Sequence, residues 1–307
     1  MQVLSSRSVV SGFTVKNAFG EGILVGYEPV PPGTHPLPPS VSGVTISGNV
    51  VVTNDQGNST NSPLTNSPYA QCIAQGPVPG DCGEAIHLLS ATDSTVTDTR
   101  VSGNTGGILL TDENGPTSGN VISKNQVTDN VYVCGITVAG HNIKLAGGVH
   151  DNRFLDNWVS GNGTQGQGAG ILFATPVPGA AAPDGVGGAV YDNLVEGNVI
   201  WGNGLAGVTV HSHAPGQDLN GNVIVHNFIG TNNLTPDEDF GPAFVAAQTT
   251  RVIVTAVSDV SITVAHNVIV HDVNGVWLGE VGGAALTVTG LASNAFFTVT
   301  NRVVTVP

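Results

Sequence analysis

The sequence predicts an all-β fold, a solenoid of very short parallel strands stacked into about eight or nine coils. Asparagines recur at every fifth position in short runs, and each run is soon followed by a segment of the form G-[apolar]-x-[apolar]. The composition agrees, because 42 Gly and 18 Pro in 307 residues disfavour long helices. A hydrophobic content of 40% indicates that the chain nevertheless buries a core.

The asparagine runs follow the template N-x-[apolar]-x-x-N-x-[apolar]-x-x-N. They begin at Asn120 (NVISKNQVTDN), Asn152 (NRFLDNWVSGN), Asn193 (NLVEGNVIWGN) and Asn222 (NVIVHNFIGTN). Asn and Gly suit corners because both tolerate left-handed backbone conformations. We expect the four first asparagines to form one stack inside the coil, each amide hydrogen-bonded to its copy in the next coil. The five-residue period breaks after each third Asn, which argues against a pentapeptide-repeat solenoid.

The second segment marks a further strand in each coil. Its copies are GILL at Gly107, GITV at Gly135, GILF at Gly170, GVTV at Gly207 and GVWL at Gly275. Their apolar positions are predicted to point inward and to stack into a core that no single coil could bury alone. The x position and the residue two further on would point outward.

Three short parallel strands per turn with Asn corners resemble the right-handed parallel β-helix repeat over about residues 8–304. The resemblance implies a three-sheet solenoid and one domain spanning residues 1–307. Insertions of unequal length, at 27–39, 112–118, 141–150, 175–190 and 212–219, each follow the second segment. Stacked coils would align these loops along one edge, where they could wall a groove.

Polar side chains gather where the second segment ends. We predict as catalytic the carboxylates and imidazoles that this edge would bring together, namely Asp112, Glu113, His141, His211 and His213. Such groups on one face supply proton transfer. The alternative is that they are polar residues of an exposed sheet face.

A second set is predicted to bind substrate: His87, Thr111, Lys144, Arg153 and Asp218. The chain has eight Lys and Arg and a net charge of −14, so the cations near His141 are scarce. Lys144 and Arg153 would attract an anionic group such as a uronate carboxylate. Alternatively, they are two solvated surface cations.

No metal site and no required cofactor are predicted. His211 and His213 can face one way on a strand, but His141 would lie about 10 Å away, which is long for shared ligation. The acidic loop with Asp237, Glu238 and Asp239 is compatible with Ca²⁺, although it lacks EF-hand spacing.

The chain has three cysteines. Cys72 and Cys82 bracket a short Pro/Gly loop and suit a disulfide of a secreted protein, the alternative being two free thiols. Cys134 is predicted to be a buried small residue.

The net charge of −14 argues against nucleic acid as a partner. No apolar run is long enough for a membrane span. The N-terminal residues lack the apolar core of a signal peptide and read as the interior of a repeat. The oligomeric state is left open by the sequence.

The chain resembles the pectate-lyase-like superfamily, which includes polysaccharide lyases, glycoside hydrolases and epimerases. The segments TDENGPTSGNVISKNQVTDNVYVCGITVAGHN and VTVHSHAPGQDLNGNVIVHNFIGTNN are similar to secreted bacterial β-helix proteins for which no mechanism carries over. Catalytic motifs of the lyases, polygalacturonases and epimerases are missing.

The resemblance implies a secreted, periplasmic or cell-surface protein that acts on an acidic polysaccharide as a lyase, an epimerase or a hydrolase. A non-enzymatic glycan-binding β-helix and a periplasmic metal-handling protein are the alternatives.

Overall fold

The computed structural model describes residues 1–18, 20–27, 36–54, 84–141, 147–165, 168–175, 188–232 and 250–306. Within these ranges the chain forms short parallel strands and one 3-10 turn, Leu291–Ser293. The strands build three sheets, as expected for a parallel β-helix. The predicted disulfide at Cys72 and Cys82 and the acidic loop at 237–239 lie outside the described residues.

The first sheet has nine strands in the described chain, one from each coil, which confirms the predicted number of coils. Its strands are Val9–Ser11, Thr45–Ser47, Thr95–Thr97, Val121–Ser123, Arg153–Leu155, Leu194–Glu196, Val223–Val225, Val260–Ala265 and Leu286–Thr289.

The second sheet has five strands. In each coil that contributes to it, its strand comes directly before the strand of the nine-stranded sheet along the chain. Its strands are Val41–Ser42, Ala91–Thr92, Thr117–Ser118, Val149–His150 and Val190–Tyr191.

The third sheet holds two strands of most coils, so a coil has up to four strand positions and not the expected three. The leading strands follow the nine-stranded sheet: Thr14–Lys16, Val50–Val52, Arg100–Ser102, Gln126–Thr128, Trp158–Ser160, Val199–Trp201 and Phe228–Gly230. The trailing strands come next in each coil: Gln2–Val3, Ile23–Val25, Glu84–Leu89, Gly106–Thr111, Ile136–Ala139, Ile171–Ala174, Val208–His211 and Thr250–Ala256. In the last two coils both merge into Val268–Glu280 and Ala295–Val306.

The predicted asparagine stack is confirmed. The side-chain amide of Asn120 donates to Asn152 at 2.9 Å, Asn152 donates to Asn193 at 3.0 Å, and Asn193 donates to Asn222 at 3.1 Å. Each acceptor oxygen also takes the backbone N–H of the preceding coil's Asn. These side chains are buried, so the stack satisfies backbone groups that the sharp corners would otherwise leave unpaired.

The left-handed residue at each corner is the one before the asparagine, which corrects the expectation that Asn itself takes this conformation. Positive φ angles occur at Lys124 (56°), Asp129 (56°) and Asp156 (54°), each just ahead of a stacked Asn. Gly fills the same position at Gly119 and Gly197, with φ of 68° and 72°. The strained position therefore precedes the Asn, whose side chain is left to form the stack.

Replacing Asn193 with Ala should lower the free energy of unfolding by about 1–3 kcal/mol, because several buried groups lose their partners. The Asn193 amide donates to the Val149 carbonyl at 2.9 Å, and its oxygen accepts two bonds from Asn152, both at 3.0 Å. Chemical denaturation of the variant measures the change. An unfolding free energy equal to that of the wild type would contradict the structural role of the stack.

The core runs along the inside of the coils as predicted. Inward positions of the leading strands, for example Val127, Val159 and Ile200, are fully buried and belong to one continuous cluster. Burial of each such side chain is worth roughly 1.5–3 kcal/mol. Cys134 is buried too, in a small cluster with Ala169 and Leu205, which confirms its predicted structural role.

The outward positions of the trailing strands are mostly buried. Leu109, Thr209 and Trp277 are 0%, 1% and 5% exposed, although they alternate with core residues. The outer face of this strand column is therefore covered.

The predicted insertions begin where expected, directly after the trailing strands that end at Val25, Thr111, Ala139, Ala174 and His211. Two further long stretches, 55–83 and 233–249, connect a leading strand to a trailing strand, so insertions occur at two corners of the coil. In the described part of the chain, no helix is long and apolar enough to span a membrane.

Candidate functional site

The trailing strands align the predicted residues in the register that the sequence indicated. Thr111 pairs with Ala139, Ala139 with Ala174, and Ala174 with His211. Residues that follow Thr111 and Ala139 therefore lie one coil apart, at roughly 4.8 Å. His211 is two coils above Ala139, so its cluster is separated from His141 by roughly 10 Å of stacking.

Glu113 and His141 form the centre of the lower cluster. The Nδ1 atom of His141 lies 2.7 Å from Oε1 of Glu113, and both side chains are 16% exposed. The backbone N–H of His141 donates to Oδ1 of the buried Asp112 at 2.7 Å. One carboxylate thus fixes the loop at His141, and the other fixes the imidazole ring. A ring held at Nδ1 exchanges protons with a ligand through Nε2.

His87 extends this cluster into the protein. Its Nδ1 lies 2.5 Å from Oε1 of Glu21, and its Nε2 lies 2.7 Å from Oγ1 of Thr111. The Thr111 hydroxyl also helps to lower the pKa of the Glu113 carboxyl. A series of polar contacts therefore runs from Glu21 through His87, Thr111 and Glu113 to His141. We refer to these five residues as the relay.

Opposite charges keep His87 and Glu113 ionised despite their burial. Burial alone would lower the pKa of His87, but the charge of Glu21 and its hydrogen bond outweigh this effect and raise the pKa to about 9. Burial alone would raise the pKa of Glu113. The charge and hydrogen bond of His141, together with the charge of His87, instead lower it to about 2. At neutral pH the relay therefore contains a His87 imidazolium and a Glu113 carboxylate.

The upper cluster consists of His211 and His213. Their rings meet edge to face with centroids 4.5 Å apart, and Nδ1 of His213 lies 2.5 Å from the carbonyl oxygen of Thr175. Burial, together with the nearby His213, lowers the pKa of His211 well below its ordinary value. His211 is therefore neutral at physiological pH. The structure brings these two residues together but does not join them to the relay.

Two predicted substrate-binding residues, Arg153 and Asp218, are not part of either cluster. Arg153 is exposed on the nine-stranded sheet, on a different side of the coil from the trailing strands. Asp218 lies in a turn, where its carboxylate accepts two hydrogen bonds from Asn220 at 2.7 and 2.9 Å. Lys144 lies outside the described residues. His87 and Thr111 belong to the relay and so contact catalytic candidates, although both are buried.

Sequence reasoning missed Glu21 and Glu84. Glu21 stands directly before GILV and reaches the imidazole of His87 in the next coil. Glu84 stands at the start of its trailing strand, is 1% exposed, and its charge also raises the pKa of His87. An acidic residue directly before a strand of the core is unusual, and this feature of the sequence could have identified both residues.

Within the described residues, no group of three or more His, Cys, Asp or Glu side chains has a geometry that could hold a metal ion. The continuous apolar core spans the coils without such a site. We expect chelation of zinc and copper to leave the melting temperature unchanged, since the core does not depend on a metal. Thermal unfolding with and without a chelator measures this. A large fall in the melting temperature would contradict it.

Residues 3–175, more than half of the chain, match the family described as right handed beta helix region, and the protein belongs to this family. Comparison with curated proteins gives no match.

Solved structures of other β-helix proteins share the fold at low identity. The mannuronan C-5 epimerase AlgE4 A-module of Azotobacter vinelandii is 15% identical, with a TM-score of 0.42 over 95% of this chain and 76% of that one. The surface adhesin PfbA of Streptococcus pneumoniae is 11% identical, with a TM-score of 0.41 over 96% and 81%. DFA-IIIase of Arthrobacter chlorophenolicus A6, without its lid, is 15% identical, with a TM-score of 0.38 over 92% and 72%. These likenesses concern the fold alone.

Proposed function

We propose that the protein is a carbohydrate-active enzyme that removes a proton from a uronate sugar of an acidic polysaccharide, with His141 as the base. The observation that carries this proposal is the relay, which ends at a partly exposed imidazole held by a carboxylate. A carboxylate at one ring nitrogen orients the ring and stabilises the imidazolium that forms when the other nitrogen takes a proton.

The state of Glu113 favours proton abstraction over hydrolysis. Two-carboxylate hydrolysis requires one protonated acid near neutral pH. Glu113, with a pKa of about 2, is ionised under these conditions and cannot serve as that acid. Asp112 is buried and holds the backbone of His141, so it is not placed as the partner carboxylate. The base that remains is His141, which acts in its neutral form and becomes the imidazolium that Glu113 stabilises.

The proposed reaction breaks the C5–H bond of the uronate. The proton goes to Nε2 of His141, and the electron pair spreads into the sugar carboxylate. In a lyase the C4–O bond then breaks, a C4=C5 double bond forms, and the leaving oxygen takes a proton. In an epimerase a proton returns to C5 from the opposite face. Neutralising the sugar carboxylate would lower the barrier, and we assign this role to Lys144, which the sequence places in the loop of His141.

We further propose that the protein works outside the cytoplasm, either secreted or at the cell surface, because its polymeric substrate is extracellular. No cofactor is needed for the proposed chemistry.

The experiment is a screen of purified protein on polyuronates, following the absorbance of unsaturated uronate and the release of reducing ends. Lyase activity gives both signals, and hydrolysis gives reducing ends alone. Lys144→Ala should raise KM for a polyuronate, with Arg153→Ala, on another sheet, as the matched control. Reducing ends without unsaturated product would refute proton abstraction as the route of cleavage.

Non-enzymatic glycan binding is the second candidate, and one observation favours it. The outward positions of the trailing strands are buried, as at Leu109 and Thr209, which restricts access along this edge. Binding of a polyuronate without any chemical change in it would select this candidate.

A further inference from the structure

A second surface lies on the leading strands and takes no part in the relay. Its outward side chains include three large exposed aromatics: Trp158 is 51% exposed, Trp201 is 39% exposed and Phe228 is 37% exposed. We call these three residues the aromatic row. Contiguous exposed apolar side chains on a folded protein mark interaction sites. The third tryptophan, Trp277, is buried on the trailing strands and is not part of the row.

The aromatic rings are held in defined orientations. Trp201 and Phe228 stack with ring centroids 6.4 Å apart and an interplanar angle of 9°. The indole N–H of Trp158 donates to Oγ of Ser160 at 2.8 Å. Gly230 leaves room for the Trp201 ring, since a Cβ at this position would lie 2.8 Å from two of its carbons. The rings are therefore preorganised, which reduces the entropy lost on binding.

Positive charge adjoins the aromatic row on the same face. Arg100 pairs with Gln126, and Gln126 pairs with Trp158, so Arg100 lies two coils from the indole, roughly 10 Å. Arg100 and Lys124 line a surface cavity of about 340 Å³, together with Gln126. We call this the cationic cavity. Asp98 also lines it, and its carboxylate accepts a hydrogen bond from Thr97 at 2.9 Å.

Charge and shape together select one kind of occupant. The chain carries eight Lys and Arg and a net charge of −14, yet two of its cations flank one cavity beside the aromatic row. Arginine and lysine bind carboxylates, and flat aromatic faces pack against the C–H faces of sugar rings. A single-stranded nucleic acid would also stack on the rings, so oligothymidylate serves as the competing probe in the test.

We propose that the outer face of the leading strands binds an extended acidic polysaccharide, with sugar rings on the aromatic row and a uronate carboxylate at the cationic cavity. The chain runs along the axis of the coils, because the successive rungs from Arg100 to Phe228 lie in one line. The identity of the ligand class rests on the proposed function, whereas binding at this face requires no catalysis by His141.

The test is calorimetric titration of oligogalacturonate and oligomannuronate, with a mannan oligosaccharide as the neutral probe and oligothymidylate as the nucleic acid probe. The titrations use wild type and His141→Ala, in which turnover is prevented. Trp158→Ala and Trp201→Ala should each weaken binding of a uronate oligomer about tenfold. Arg100→Ala and Lys124→Ala should weaken it and reduce its salt dependence.

Matched controls are Tyr191→Ala, an aromatic on the five-stranded sheet, and Arg7→Ala, an exposed cation at another corner. Both should bind as the wild type does. Gly230→Ala tests the same face without removing a ring, because the new Cβ displaces the Trp201 indole; it should weaken binding and shift tryptophan fluorescence. This variant keeps the test decisive if a tryptophan variant fails to fold.

Unchanged affinity in Trp158→Ala and Gly230→Ala would overturn the proposal, as would equal or tighter binding of the mannan or oligothymidylate probe. Loss of a dimer in Trp158→Ala, seen by sedimentation, would overturn it in favour of a second copy of the chain. The two proposals fail separately. Uronate binding at this face without turnover refutes the enzymatic function, whereas turnover with a KM unaffected by the aromatic row refutes this inference.

Discussion

His141→Ala is expected to lower turnover of the polyuronate substrate by roughly 10²–10⁴-fold, the usual contribution of a positioned general base. His141 ends the relay, and its Nδ1 is held 2.7 Å from the Glu113 carboxylate. Its side chain is partly exposed, so truncation removes the base without opening the core. The fold should be retained, and the measurement is kcat together with KM.

His226→Ala is the matched control. His226 is another exposed histidine beside a carboxylate, with Nδ1 3.4 Å from Glu196, but it lies at the corner between the nine-stranded sheet and the leading strands. Its loss should leave kcat unchanged. Equal turnover in wild type and His141→Ala would remove His141 from the chemistry.

His87→Gln is expected to make the free energy of unfolding less dependent on pH in the alkaline range. The folded state raises the pKa of His87 from 6.5 to about 9. A raised pKa stabilises the fold fully below pH 6.5, and this stabilisation is lost as the pH rises through about 9. The difference corresponds to about 3 kcal/mol. The free energy of unfolding of the wild type should therefore exceed that of the variant by the largest amount at pH 6. This excess should be about 3 kcal/mol smaller at pH 9.5.

Glu113 acts at the opposite end of the pH scale. Its pKa falls from 4.5 to about 2 in the folded state, so its contribution is present above pH 4.5 and lost as the pH falls through about 2. The two groups together stabilise the fold most between about pH 4.5 and 6.5. Denaturation curves of wild type, His87→Gln and His226→Gln at pH 6 and 9.5 measure the effect. A constant difference between wild type and His87→Gln at both pH values would contradict a buried imidazolium.

The fold was largely predictable because the repeat itself encodes it. The five-residue spacing of Asn120, Asn125 and Asn130 predicted where the corners of the coil lie. Aligning GILL with GITV predicted that Thr111 lies beside Ala139. From this register, the proximity of Glu113 to His141 followed. The merging of leading and trailing strands into one sheet did not follow, since it depends on how the chain bends between two strands of the same coil.

The parts of the site that could not be predicted depend on side-chain reach and on what covers a strand. Glu21 lies 66 residues from His87 in sequence and meets it through stacking of coils. Arg153 belongs to the coil of His141 but lies across corners from it, because each short strand turns the chain to a new face. Leu109 is buried although it lies at an outward position, and strand alternation does not report what packs over a strand.

The most direct test of the central claim is deuterium exchange at C5 of the sugar. Polyuronate is incubated with the protein in heavy water, and the recovered substrate and product are analysed by NMR. Proton removal by His141 predicts deuterium at C5 or an unsaturated C4=C5 product with wild type, and neither with His141→Ala. Tight binding of the polyuronate with no exchange and no unsaturated product, or equal exchange in both proteins, would contradict the assignment of the relay as a proton-transfer site.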